Sequence, residues 1–136
     1  MPPLANHLPR PRVLLVEDDA AVRRSTQLLL SSEGYDVRSY ASGAGLARDP
    51  EALKASCLVA DLLMPDGDAL SLLEQLRGAG WNGPAILISG HLTDDRAQRA
   101  VARGYVAALA KPVGDGVLKS WIARVLDGSL INGGSS

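Results

Sequence analysis

The chain has 136 residues, 15 acids against 14 bases, a net charge of −1 and an apolar fraction of 46%. That is enough chain for one domain with a real core, and too apolar a chain to stay disordered. The balanced charge excludes a global pull toward nucleic acid or an anionic membrane. No apolar run approaches the roughly 18 residues of a membrane span, and the opening MPPLANHLPRPR lacks the apolar stretch of a secretory signal.

The prolines of residues 1–11 predict a flexible arm. RVLLV at 12–16 is a short continuous apolar run, as expected of a strand buried on both faces. Glu17, Asp18 and Asp19 follow, with Asp19 placed to cap a helix over 20–33. Val22, Thr26, Leu28 and Leu29 share a stripe of that helix, and Gly34 stops it. DVRSY at 36–40 alternates like a strand. Residues 44–55 predict a weak helix interrupted by Pro50. Residues 56–60 form the next buried strand and contain the single cysteine, Cys57, expected to be a core thiol. One cysteine makes no disulfide framework, which suits a reducing cytoplasm.

A helix is predicted over 69–77, with Leu70, Leu72, Leu73 and Leu76 on one face. PAILIS at 84–89 is the fourth strand. A polar helix over 94–103 ends at Gly104, YVAALA at 105–110 is the fifth strand, and a last helix spans 115–127. That helix carries Val117, Leu118, Trp121, Ile122 and Val125 on its apolar face. Residues 128–136 predict a flexible tail. Five apolar strands alternating with five helical regions predict an α/β domain over 12–127, its parallel sheet covered on both sides.

Sites of open parallel sheets lie at the carboxyl ends of the strands. Glu17 and Asp18 follow the first strand, Asp61 ends the third, Ser89 and Gly90 end the fourth, and Lys111 and Pro112 follow the fifth. Singly, each has an ordinary reading as a cap, turn residue or surface charge. Together they place carboxylates, a hydroxyl and an ammonium at one edge. Close carboxylates repel unless a proton or cation intervenes. All-oxygen donors without imidazole or thiolate suit Mg²⁺. A carboxylate can attack a phosphoryl group to give an acyl phosphate, a transfer that needs mainly positioning and charge neutralisation.

The pieces LLVEDD at 14–19, VADLLMP at 59–65, ILISG at 86–90 and ALAKP at 108–112, in that order and at these spacings, resemble the receiver domain of bacterial two-component response regulators. The stretch ISGH is similar, more loosely, to nitrogen-fixation-type regulators. The resemblance implies a single-domain flavodoxin-like (βα)5 fold with strand order 2-1-3-4-5, the order of the chemotaxis regulators. It implies that Asp61 is the phospho-acceptor, that Glu17, Asp18, Asp61 and the backbone carbonyl of Leu63 hold Mg²⁺, and that Ser89 and Lys111 bind the phosphoryl oxygens. The Lys111–Pro112 bond would be cis. Leu63 and His91 occupy positions that tune phosphoryl loss, and Gly90 belongs to the switching loop. The implied partners are a sensor histidine kinase or a histidine phosphotransfer protein, plus a downstream protein target, in the cytoplasm, with neither nucleic acid nor membrane contacted directly. The domain would accept a phosphoryl group rather than turn over an external substrate, whether free-standing or part of a longer protein.

Two positions depart from the family. Ala108 stands where an aromatic residue usually sits, and the nearest aromatic, Tyr105, is an odd number of residues away, so on a regular strand it faces the opposite side. Ala69 stands where glycine is usual, with Gly67 nearby to absorb a turn. Three alternatives follow from the residues. A pseudo-receiver would fold alike without being phosphorylated. A Mg²⁺-dependent aspartyl-phosphate phosphatase needs a second Asp where Leu63 stands. A flavodoxin-like cofactor binder needs a phosphate loop where three acids stand.

Overall fold

Alternation along each buried strand decides how the domain is layered. In β1 (Arg12–Val16), Val13 and Leu15 point to one face and Leu14 and Val16 to the other, and all four are inaccessible to solvent. β3 (Cys57–Asp61) and β6 (Ala85–Ser89) are buried along their whole length. Hence these strands read as continuous apolar runs rather than as alternating ones. The computed structural model describes residues 10–61, 63, 64 and 67–127; the expected arm and tail fall almost wholly outside these.

β2 (Asp36–Tyr40) and β7 (Ala107–Ala110) complete a five-stranded sheet of order β2-β1-β3-β6-β7, every pair parallel. Counting only its five strands in chain order, this is 2-1-3-4-5, the flavodoxin-like arrangement expected. Among the described residues four α-helices cover it: α1 (Ala20–Ser32), α2 (Ala69–Gly78), α3 (Asp94–Ala102) and α4 (Asp115–Leu126). One core layer joins Val13, Leu15, Val59, Ile86 and Ile88 to Leu30 of α1 and Leu118, Ile122 and Val125 of α4. The opposite layer joins Leu14, Val16, Leu58 and Leu87 to Leu72, Leu73 and Leu76 of α2, Ala100 of α3, and Trp81 and Tyr105. Among the described residues no helix is long and apolar enough to cross a membrane.

The structure corrects several expectations. Residues 44–55 form two short 3-10 turns, Leu46–Arg48 and Ala52–Lys54, so four helices rather than five cover the sheet. Pro50 removes a donor at mid-segment, Gly45 sits at φ 79, and the segment's end is held instead by the Trp81 indole donating to the Ala55 carbonyl at 2.8 Å. Leu28 lies 66% exposed and Val117 49%, outside the apolar stripes assigned to them, while Leu30 supplies the buried contact of α1. After Asp61 the chain forms a two-stranded antiparallel ribbon, β4 (Leu63–Met64) with β5 (Gly67–Asp68), which the sequence did not suggest.

Tyr105 is corrected too. The strand begins at Ala107, and a bend at Val106 breaks the two-residue alternation before it. Tyr105 and Ala108 therefore pack on the same core layer, with Val106 and Leu109 on the other. Gly104, at φ 115, makes the turn that delivers the tyrosine ring. Its hydroxyl donates to the carbonyl of Ala69 at 2.6 Å, and burial pushes its pKa well up.

Cys57 is buried in the layer of Val13 and Leu15, and burial raises its pKa from 9.0 to about 12. The folded thiol thus holds its proton more tightly than the unfolded one. The associated stability is fully present below pH 9 and is lost as pH rises toward 12. At pH 8 the native protein should resist a thiol-exchange reagent and titrate one equivalent only in denaturant; prompt reaction of the native protein would contradict this burial.

Candidate functional site

Parallel pairing brings four strand ends to one edge. Val16 is level with Ala60, Asp61 with Ile88, and Ser89 with Ala110. The residue at or just past each end therefore faces the same space. Glu17 leaves β1 with its N–H donated to the Tyr40 carbonyl at 3.0 Å, which keeps it against β2 for one residue more. Asp19 then caps α1, accepting from the N–H groups of Ala21 at 2.9 Å and Val22 at 3.0 Å. So Asp19 serves the helix, and Glu17, Asp18 and Asp61 remain as the acid cluster.

Oxygens of these three carboxylates all lie within 4.8 Å of one another, Glu17 and Asp61 buried and Asp18 exposed. The Lys111 ammonium approaches them from β7, 2.5 Å from Glu17 Oε1 and 3.3 Å from Asp61 Oδ2. Glu17 Oε2 accepts from the Asp19 N–H at 3.1 Å. Its Oε1, fully buried, has the Lys111 ammonium as its partner. Burial is the main influence on Glu17 and pushes its pKa up, with the Asp61 charge adding; Lys111 and the Asp19 N–H oppose this and are outweighed. Burial alone would lower the pKa of Lys111, but its hydrogen bond to Glu17 and the charges of Glu17 and Asp61 raise it, so it stays an ammonium.

Ser89 is buried, and its hydroxyl oxygen accepts from the His91 N–H at 2.9 Å. The Arg96 guanidinium ties down the His91 carbonyl from α3. The Lys111 N–H donates to the Ser89 carbonyl at 2.8 Å, and the Lys111–Pro112 peptide is cis. Gly90 lies between the two anchored residues, and among the described residues no side chain closes on it.

Three acids share one cation, Lys111, among the described groups that reach them. A hard cation fits that deficit: the donors are all oxygen, and one side of the cluster is open through exposed Asp18. The sequence-predicted Glu17, Asp18, Asp61, Ser89 and Lys111 thus share one edge. Leu63 enters the ribbon paired with Asp68, and Ala108 lies in the core layer beneath, half-buried.

Sequence reasoning missed two contacts. Arg23, on the first turn of α1, donates to the Glu17 carbonyl at 2.8 Å and reaches the Asp18 carbonyl at 3.4 Å. Its signal was a cation placed where the helix dipole disfavours one. The second is the pairing of Lys111 with Glu17, which arises because a fully buried carboxylate takes the nearest cation.

Comparison with known proteins follows the same outline. The model of the response regulator receiver domain matches residues 13–123. The transcriptional regulatory protein FixJ of Rhizobium meliloti is 35% identical over 113 residues, 82% of this chain and 55% of that protein. The tetrathionate response regulatory protein TtrR of Salmonella typhimurium is 31% identical over 112 residues, 82% of this chain and 54% of that protein. The chain thus spans about half the length of these curated relatives. Among solved structures, the signal receiver domain of a putative Luxo repressor protein from Vibrio parahaemolyticus superposes with a TM-score of 0.81 at 26% identity, covering 90% of this chain and 95% of that one. The FIXJ-N crystal structure does so with a TM-score of 0.77 at 33% identity, covering 88% and 96%.

Proposed function

The chain belongs to the response regulator receiver domain family, and from that premise we propose that it is a phospho-accepting signalling module whose acceptor is Asp61. The observation that carries this reading is the edge itself: an acceptor carboxylate, two further acids, a buried hydroxyl and an ammonium converge there, with a cation deficit built in.

Glu17, Asp18, Asp61 and the Leu63 carbonyl would hold Mg²⁺, with Asp18 the most accessible of the acids. The ion supplies neutralisation of the transferring phosphoryl oxygens. An oxygen of Asp61 attacks phosphorus and forms the acyl phosphate bond. The bond to the donor nitrogen of a phosphohistidine breaks, and its electron pair leaves on the imidazole; with a small acyl phosphate, the pair leaves on the carboxylate. Lys111 transfers part of its ion pairing from Glu17 and Asp61 to a phosphoryl oxygen. The Ser89 oxygen already accepts from His91, and its hydroxyl proton can donate to another phosphoryl oxygen. Leu63 and His91 stand at the positions that tune phosphoryl loss in the family.

The donor is a sensor histidine kinase or a histidine phosphotransfer protein in the cytoplasm, and the output is a protein-binding surface whose population shifts on phosphorylation. Ala108, the loop through Gly90 after β6 and the loop through Pro112 after β7 belong to that response. With Ala108 small and Tyr105 locked inside the same layer, no aromatic side chain stands free at that position to respond, and the loop after Ser89 carries the change. The domain accepts one phosphoryl group and turns over no external substrate.

Intact mass after incubation with acetyl phosphate and Mg²⁺ tests the reading. One added phosphoryl group is expected, absent with EDTA and absent in Asp61→Asn. No addition from acetyl phosphate or from a phosphorylated kinase would reverse the reading in favour of a receiver fold that is never phosphorylated.

A further inference from the structure

Asp18 is the exposed acid of the cluster, and among the described residues its carboxylate has no hydrogen-bond or ion-pair partner. Nothing orients its side chain except the backbone it stands on. That backbone is held from two directions. On one side the Glu17 N–H is bonded to Tyr40 of β2. On the other, one guanidinium nitrogen of Arg23, Nη1, donates to the Glu17 carbonyl at 2.8 Å and reaches the Asp18 carbonyl at 3.4 Å. Its neighbour Arg24 is exposed and turned to solvent. Arg23 sits in the first turn of α1, where a cation opposes the helix dipole, so its place there is offset by these two carbonyl bonds.

We propose that Arg23 is a positioning residue for the cation site, bracing the Glu17–Asp18 turn so that the carboxylates rather than the carbonyls of that turn face the ion. The inference rests on the reading of the acid cluster as a Mg²⁺ site. It makes a prediction opposite in sign to the simplest electrostatic one. A guanidinium beside a cation site repels the ion, so if charge were its whole effect, removing it would tighten binding. If it is a brace, removing it loosens binding, because Asp18 loses its fixed platform. Lysine separates the two: it keeps the charge, but its stem ends one bond short of the place of Nη1 and carries a freely rotating ammonium instead of a rigid plane.

The experiment titrates MgCl₂ into the wild type, Arg23→Met and Arg23→Lys by isothermal calorimetry, with thermal midpoints recorded in EDTA. The brace predicts that Arg23→Met weakens Mg²⁺ binding about tenfold, the low end of the effect of losing a ligand-orienting group. Arg23→Lys should weaken it roughly threefold, since the charge stays while the shorter side chain holds the Glu17 carbonyl less firmly. Midpoints in EDTA should stay near that of the wild type. If Arg23→Met fails to fold, the Lys variant decides: weaker binding supports the brace, and unchanged binding overturns it. Tighter binding by Arg23→Met, unchanged binding, or a loss that follows a fall in the EDTA midpoint would each overturn it. A wild type that binds Mg²⁺ while Arg23→Met binds equally well would overturn the brace and leave the proposed function standing. A wild type that binds no Mg²⁺ would end both.

Discussion

Lys111→Met is expected to weaken the fold by about 3 kcal/mol at neutral pH and to abolish most phosphoryl uptake. The substitution leaves Glu17, which has no exposed surface, without its cation. Breaking a buried pair by removing one partner costs about 3–5 kcal/mol, and the low end applies because Lys111 is itself partly exposed and Glu17 can take up a proton. In a domain of this size that corresponds to roughly 10 °C in the unfolding midpoint. The pH dependence has a definite sign. Burial lifts the Glu17 pKa above 4.5, so folding favours its protonated form; that contribution is fully present below pH 4.5 and is lost as pH rises through the lifted value. Without Lys111 the lift is larger. The deficit relative to wild type should therefore be greatest at and above neutral pH and shrink on acidification, and millimolar Mg²⁺ should restore part of it. Urea unfolding at pH 5 and pH 8 measures this. Equal deficits at the two pH values would separate Lys111 from Glu17 energetically.

Tyr105→Ala should cost about 4 kcal/mol, as truncating a large buried ring does, while Tyr105→Phe should cost only about 1 kcal/mol, the share of one neutral hydrogen bond. The ring is 1% exposed and packs against α2, and the hydroxyl ends on the Ala69 carbonyl, at the first residue of that helix. Gly104 brings its own Cα close to Leu73, and Arg103 pairs with Glu74 at 3.2 Å, so the corner before β7 clasps α2 at three points. Denaturant midpoints of the two variants separate ring from hydroxyl. A Phe variant as unstable as the Ala variant would place the weight on the Ala69 bond instead of the packing.

The parts of this molecule that were legible in the sequence are those where one physical rule acts alone. A parallel strand buried on both faces has to be apolar throughout, so Leu14–Leu15–Val16 and Ile86–Leu87–Ile88 identify their strands and with them the edge bearing Glu17, Asp61 and Ser89. Asp19 was legible as a cap because an aspartate before a helix has one common use, and it has that use here. Where two rules compete, the sequence misleads. Residues 44–55 have helical composition, but Gly45 and Pro50 interrupt the ladder, and the bond from Trp81, 26 residues away, holds the segment in short turns. Tyr105 follows a strand's alternation on paper, yet the bend at Val106 resets the count and turns the ring to the layer of Ala108. In the site, chain order shows which groups gather at the edge but not how they pair. That Lys111 rests against Glu17, and that Arg23 reaches back to the turn before its own helix, depend on depths and directions that only the folded backbone fixes.

The most direct test of the central claim is the location of the phosphoryl group. An acyl phosphate is reduced by borohydride to the alcohol, so phosphorylated Asp61 would become homoserine, a change readable by peptide mass spectrometry. The account predicts homoserine at residue 61 alone, after treatment with acetyl phosphate and Mg²⁺ and not with EDTA. Homoserine at Asp18, or a phosphoryl group that resists borohydride because it sits on a serine or histidine, would contradict it.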